Sequence, residues 1–197
     1  DLQILSHTHI DHVGGLGDFP QAPILVSGAE RRLPRPLYWG DVQPLEWPDQ
    51  EYLLIEDDVE IGDDTFIGDF TLIRKGTRIG KNCKIKSYNE IRTNVRIGDN
   101  SIFGSRCTLC ADTVIGSNVD VKYGFVTTTL DFKKRVDLDA GTVGDGAIVG
   151  ANVSLMPGAS IAKGAMIGAC SQLRSAAGEN EIWFGNPAKF YKMRDEL

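Results

Sequence analysis

IEDDVEIGDDTFIGDFTLIRKGTRIGKNCKIKSYNEIRTNVRIGDNSIFGSRCTLCADTVIGSNVDV, residues 55–121, carries an apolar side chain at every sixth position. The series runs Ile55, Ile61, Ile67, Ile73, Ile79, Ile85, Ile91, Ile97, Phe103, Leu109, Ile115 and Val121 without a break. Most of these anchors are β-branched, which suits a pleated, buried surface. A helix repeats near 3.6 residues and a half-buried strand every 2, so a period of six is neither. A three-sided prism satisfies it. One hexad forms one face, three hexads form one coil, and stacked coils pair as parallel strands about 4.8 Å apart. The anchors then become apolar ladders inside the tube.

Two further slots keep the same period. Four residues after the anchors stand mostly small side chains: Val59, Thr65, Thr71, Thr77, Cys83, Val95, Ser101, Cys107, Thr113 and Val119. A tight inner corner requires this. Asn89 falls in the same slot and reads as a hydrogen-bonded corner residue inside the stack. One residue earlier come Asp58, Asp64, Gly76, Asn82, Asn94, Asn100, Asp112, Asn118 and Gly124, types that accept positive φ or stabilise turns. The phase lapses after Val121 and resumes as Val143, Val149, Leu155, Ile161, Ile167 and Leu173. A segment from about Thr127 to Thr142 must therefore leave the prism and return. A loop expelled from a rigid scaffold is a favoured place for function.

The chain has 197 residues and a net charge of −6, which disfavours nucleic acid as a partner because phosphate neutralisation needs clustered Lys and Arg. No apolar run approaches the roughly 18 residues of a membrane span, and no signal-peptide pattern is present. Four cysteines, Cys83, Cys107, Cys110 and Cys170, fit no secreted disulfide framework, so a cytoplasmic protein with reduced thiols is expected. Cys107 and Cys110 form a CxxC, but with no second pair and no neighbouring histidine Cys107 is better explained by its corner slot.

The run VGDGAIVGANVSLMPGASIAKGAMIGACSQL (residues 143–173), followed by GNPAKF (185–190), resembles the left-handed β-helix hexapeptide acyltransferases, and among them the maltose, galactoside and nucleotide-sugar acetyltransferase groups. The resemblance covers about Ile55 to Lys189. It implies an all-β, left-handed parallel β-helix over residues 55–185, a homotrimer, and acetyl-CoA as co-substrate, with the site between subunits. It places the pantetheine arm along Gly150-Ala151 and Gly168-Ala169, with Lys163 and Lys189 toward the CoA phosphates. The alternative is that these glycines serve turns and these lysines a solvated surface.

The sugar O-acetyltransferases of that family carry a catalytic histidine in the expelled loop, where imidazole is a ready general base. Here Thr127-Thr128-Thr129-Leu130-Asp131 stands in place of a Thr-x-His-Pro-like stretch. Asp131 becomes the candidate, accepting a proton or orienting an amine nucleophile; the alternative is a turn aspartate. Lys133, Lys134 and Arg135 could meet an anionic acceptor such as a nucleotide sugar, or form a solvated charge run. A competing function is a catalytically silent β-helix trimer acting as a binding or assembly scaffold. A metal enzyme of the γ-carbonic anhydrase type needs histidines on the coils, and the hexads have none.

LQILSHTHIDHVGGLGDF (residues 2–19) resembles a second family, the metallo-β-lactamase-fold hydrolases of lactonase type, through the HxHxDH pattern of His7, His9, Asp11 and His12. The similarity continues through APILVSGAE (22–30) to about Glu60. A zinc site of that family needs more histidines downstream, and none follows His12, so zinc is not expected. Residues 1–54 read instead as a small α/β fragment that caps the first coil, whose strand groups and anchors would otherwise be exposed. Residues 34–48, with Pro36, Pro44, Trp39 and Trp47, read as an irregular connector. At the other end, residues 186–197 are expected to form a short helix with Pro187 at its first position, Phe190, Tyr191 and Met193 covering the last coil or a neighbouring subunit.

Overall fold

The structure is a computed structural model that describes the backbone of residues 3–5, 24–27, 52–55, 58–131, 136–137 and 140–194, and the side chains of 58–129 and 140–194. Residues 58 onward form a left-handed parallel β-helix of two-residue strands on three faces. Face I stacks Tyr52–Ile55, Leu72–Ile73, Glu90–Ile91, Thr108–Leu109, Val126–Thr127, Ser154–Leu155 and Gln172–Leu173. Face II begins with Glu60–Ile61 and ends with Ala176–Ala177; face III begins with Phe66–Ile67 and ends with the C-terminal hairpin. The register pairs each anchor with its equivalent one coil away, as in Ile97 with Ile79 and Ile115.

The anchors fill the tube as the period demands. Ile73, Ile85, Leu155 and Leu173 are fully buried, and Ile91, Phe103, Leu109, Ile115, Val121 and Ile161 nearly so. Each such side chain contributes about 1.5–3 kcal/mol of burial. The corner slot does a second job, because corners leave backbone groups without strand partners. Thr65 Oγ1 accepts the Cys83 N–H at 3.0 Å and donates to the Gly80 carbonyl at 2.8 Å. Ser101 repeats this with Val119 N–H at 3.2 Å and Gly116 O at 2.9 Å. Asn89 is buried as expected, with Oδ1 taking the Cys107 N–H at 2.7 Å and Nδ2 donating to the Lys86 carbonyl. The thiols of Cys83 and Cys107 donate to Gly98 O and Lys122 O at 3.2 and 3.3 Å.

Outer corner positions adopt positive φ. The I/II corner uses Asp58, Gly76, Asn94 and Asp112, and the II/III corner Asp64, Asn82, Asn100 and Asn118. The III/I corner departs from the rule: Phe70, Tyr88, Arg106 and Cys170 hold φ of 56–64° there. For bulky side chains that conformation is unusual.

The expected expulsion occurs, with one correction to its start. Thr127 still belongs to face I, and the chain rejoins on face II at Thr142–Val143. Between them the backbone makes an antiparallel hairpin, Leu130 opposite Asp137 and Asp131 opposite Val136. Sixteen residues separate Val126 from Thr142 where six separate Thr108 from Val114, so ten residues are extruded at the I/II corner.

The expected C-terminal helix is absent: Ala188–Met193 is a strand, antiparallel to Glu181–Gly185, which itself pairs with Met166–Ile167. Aromatic residues favour strands, and the hairpin supplies the final coil of face III with the partner its backbone lacks. Arg194 ties it down, donating to Gly164 O at 2.9 Å and Gly146 O at 3.4 Å, while its own N–H meets Asn180 O at 2.7 Å. At the N-terminal end, Gln3–Leu5 and Ile24–Ser27 pair in parallel with each other and onto Tyr52–Ile55, extending face I by two strands. His7, His9, Asp11, His12 and the 34–48 connector lie outside the described residues. No described helix is long and apolar enough to cross a membrane.

Candidate functional site

The small residues near the C-terminal end stack on the III/I corner. Gly150 follows the Ile148–Val149 strand and Gly168 the Met166–Ile167 strand one coil below. Their N–H groups are spent within the prism, on Ile167 O and Trp183 O, both at 2.8 Å; the Ala151 carbonyl takes the Cys170 N–H at 2.8 Å. A Cβ added at Gly150 would lie 2.5 Å from Ala169 N. Gly104, higher on the same corner and outside the expected cofactor track, meets Tyr123 N at 2.6 Å. Close coil stacking alone therefore explains these glycines.

At two of the five glycines on the II/III corner, the N–H that follows is capped by a carboxylate of the next coil: Asp99 Oδ1 on Lys81 N–H at 2.9 Å, after Gly80, and Asp145 Oδ1 on Ser117 N–H at 2.7 Å, after Gly116. At the III/I corner the residue below Ala151 is Ala169, which has no acceptor to offer. The N–H groups of Ala151 and Ala169 have no partner among the described residues, and neither do those of Asp69, Ser87, Ser105 and Tyr123 at the equivalent places higher on the same corner.

Lys163 sits on the II/III corner, beneath Gly144, whose added Cβ would meet its N at 2.6 Å. Lys189 lies opposite Phe184 in the terminal hairpin. Face III unites all six expected cofactor residues: the glycine–alanine track borders one edge, Lys163 the other, and Lys189 lies beyond its last coil. Asp131 is not with them. Its hairpin leaves from the I/II corner, the edge of the prism opposite face III.

The two buried thiols are poor nucleophiles. Burial pushes the Cys83 and Cys107 thiols above their ordinary value, with hydrogen bonds to the corner backbone only partly offsetting it. No group of three or more His, Cys, Asp or Glu suited to a metal occurs among the described residues. An open cleft of about 530 Å³ on face II, lined by Glu60, Arg78, Arg96 and glycines 62, 80 and 98, is remote from the expected residues.

The family model described as bacterial transferase hexapeptide (six repeats) matches residues 58–93 and 76–111. The match accords with the β-helix of six-residue repeats described above. Among curated relatives, the bifunctional protein GlmU of Ruthia magnifica subsp. Calyptogena magnifica is 34% identical over 110 residues, 53% of this chain and 24% of that protein. The chain thus spans about a quarter of the length of the curated relatives it matches. Among solved structures, a point mutant of AntD, an N-acyltransferase from Bacillus cereus in complex with dTDP and coenzyme A, superposes with a TM-score of 0.62 at 18% identity, covering 68% of this chain and 83% of that one. LpxA from Acinetobacter baumannii gives 0.56 at 19% identity, covering 73% and 66%.

One feature of this hexapeptide-repeat β-helix escaped the sequence reading. On the III/I corner Phe70 and Tyr88 stack with ring centroids 4.7 Å apart, Arg106 lies over Tyr88, and Lys86 lies over Tyr123 at 5.3 Å. Tyr88 thus meets both the Phe70 ring and the Arg106 guanidinium, and Tyr88 and Tyr123 are about half exposed (52% and 54%). The signal was available: Phe70, Tyr88 and Arg106 occupy the positive-φ slot where Asp, Asn or Gly stands elsewhere.

Proposed function

We propose that this β-helix is an acyl-CoA-dependent acyltransferase, with acetyl the default acyl group and a sugar or sugar-amine, such as a nucleotide sugar, as acceptor. Ala151 and Ala169 carry the reading, because only small side chains stand beside their unpaired N–H groups, where Asp69, Ser87, Ser105 and Tyr123 stand higher on the corner. The two alanines lie one coil apart, about 4.8 Å, on a stretch of the corner where glycines let a ligand backbone come close. Lys163 and Lys189 then meet the CoA phosphates as compact cations.

The remaining parts need a second copy of the chain. Asp131 leaves the edge opposite face III, so it reaches a track on face III only from a neighbouring subunit. The resemblance to the hexapeptide acyltransferases makes this assembly a homotrimer with its site between subunits, and the exposed ridge of Phe70, Tyr88 and Tyr123 supports such packing.

No histidine follows His12, so no coil carries an imidazole base. An amine acceptor fits this best. Its nitrogen lone pair attacks the thioester carbonyl, the N–C bond forms, the C–S bond breaks, and the departing thiolate takes up a proton as CoA-SH. Asp131 orients the amine or accepts its proton.

The test is acetyl-CoA binding followed by turnover on a panel of amino and hydroxy sugars. Ligand at 100 times its Kd stabilises by about 2.7 kcal/mol, a clear rise in melting temperature. Binding without turnover on any acceptor favours the second reading, the silent scaffold, which the missing histidine supports. No shift at millimolar ligand removes the coenzyme assignment.

A further inference from the structure

Thr127 occupies an anchor position. The ladder on face I runs Ile73, Ile91, Leu109, Thr127, Leu155, Leu173, and Thr127 is fully buried there. A hydroxyl inside an apolar ladder must be hydrogen-bonded to be tolerated. Its bonds depart from the repeat at the step where the hairpin leaves. In earlier coils the N–H after the anchor goes to the next anchor's carbonyl, as in Arg74 N–H to Ile91 O at 2.9 Å and Arg92 N–H to Leu109 O at 3.0 Å. At Cys110 the N–H goes to Thr127 Oγ1 instead, at 2.7 Å, and the Cys110 thiol donates to the Thr127 carbonyl at 3.0 Å. The strand register agrees: only Thr108 and Val126 pair here, where Glu90–Ile91 and Thr108–Leu109 pair at both residues.

Thr113 shows the same displacement. In its corner, Thr77 donates to Arg92 O at 2.9 Å, and the equivalent acceptor for Thr113 is the carbonyl of Thr128. The structure pairs Thr113 Oγ1 with Thr127 Oγ1 at 3.0 Å. Below, Thr128 directs both its N–H and its hydroxyl to Leu155 O, each at 3.0 Å.

We infer that Thr127 is a positioning residue that latches the extruded hairpin to the prism. Its side chain replaces the ladder contacts the chain gives up as it turns outward, holding Cys110 and Thr113 of the coil above while Thr128 holds the coil below. The hairpin root is clamped on both sides, and the strand pair Leu130–Asp131 and Val136–Asp137 projects from it in one direction. The latch is independent of the acyltransferase reading and stands whether or not Asp131 takes part in chemistry.

The test uses Thr127→Val, which keeps shape and suits an apolar ladder but removes the hydroxyl. It is made in a Cys170→Asn background; Asn152 holds that corner position one coil earlier, and Cys110 becomes the one thiol that is not buried. The expected result is several-fold faster alkylation of Cys110 and lost amide protection at residues 130, 131, 136 and 137 by hydrogen exchange. The melting temperature falls, because Cys110 N–H and the Thr113 hydroxyl lose a buried partner, but the lost protection is confined to the hairpin, and Thr127→Ser restores both local readouts. Unchanged alkylation and unchanged exchange in Thr127→Val overturn the latch. Should Thr127→Val fail to fold, Thr127→Ala decides, because Ala177 fills an anchor position on face II: faster Cys110 alkylation supports the latch and an unchanged rate overturns it.

Discussion

At the scale of single residues, the polar corner slots bear on stability more than their number suggests. Asn89 satisfies one N–H and one carbonyl inside a dry tube. Asn89→Ala should cost about 1–3 kcal/mol, the penalty for leaving buried groups unpaired, whereas Asn89→Thr, the residue type of Thr71 one coil above, should recover most of it in urea melts. The buried thiols give a pH signature. Their folded pKa values are raised, so the stabilisation they reflect is complete below the unfolded thiol value of about 8.5 and is lost as pH rises through the folded values. Melting temperature should therefore fall on the alkaline side, and less steeply in Cys83→Ser, since Ser101 fills the same slot natively. A flat profile up to pH 10.5 would remove this account. Asn89 and Cys107 were legible as corner residues because their spacing was fixed by the hexad. The uncapped N–H groups of Ala151 and Ala169 were not, because their state depends on the side chain one coil below, which only stacking reveals.

Among elements, the glycine track and the two hairpins behave differently. Gly150→Ala and Gly104→Ala should destabilise alike, by roughly 1–3 kcal/mol of overpacking, because each new methyl meets next-coil backbone. A loss of acetyl-CoA binding confined to Gly150→Ala, with equal melting temperatures, would show that the corner serves a ligand as well as the stack. Asp131→Asn should lower turnover while sparing acetyl-CoA binding; unchanged turnover takes Asp131 out of the mechanism. The C-terminal hairpin was misread because Pro187 and the short polar–aromatic run fit a helical start equally well. What decided the outcome was tertiary: face III ends with unpaired strand groups, and residues 188–193 fill that edge. Removing residues 186–197 should expose it and cause concentration-dependent association in light scattering.

For the whole molecule, the prism was legible because one period governs anchors, corner slots and positive-φ positions together, and tertiary contacts repeat it. The III/I ridge lay in the sequence as three exceptions to that rule, but stacked rings become visible only when residues eighteen apart are brought side by side. If the ridge joins subunits, Tyr88→Glu should shift the mass seen by multi-angle scattering from a trimer toward a monomer without unfolding the chain; an unchanged mass would place the interface elsewhere. The spacing of strands holds one more consequence. The II/III and III/I corners keep one length along the prism, while the I/II corner gains ten residues before Thr142 and is two short between Gln172 and Ala176. Length variation is thus confined to a single seam. A foreign peptide grafted at Asn94 or Asp112 on that seam should leave the two remaining sides undisturbed, and successive grafts would sit at intervals of one strand spacing, like pegs along a ruler.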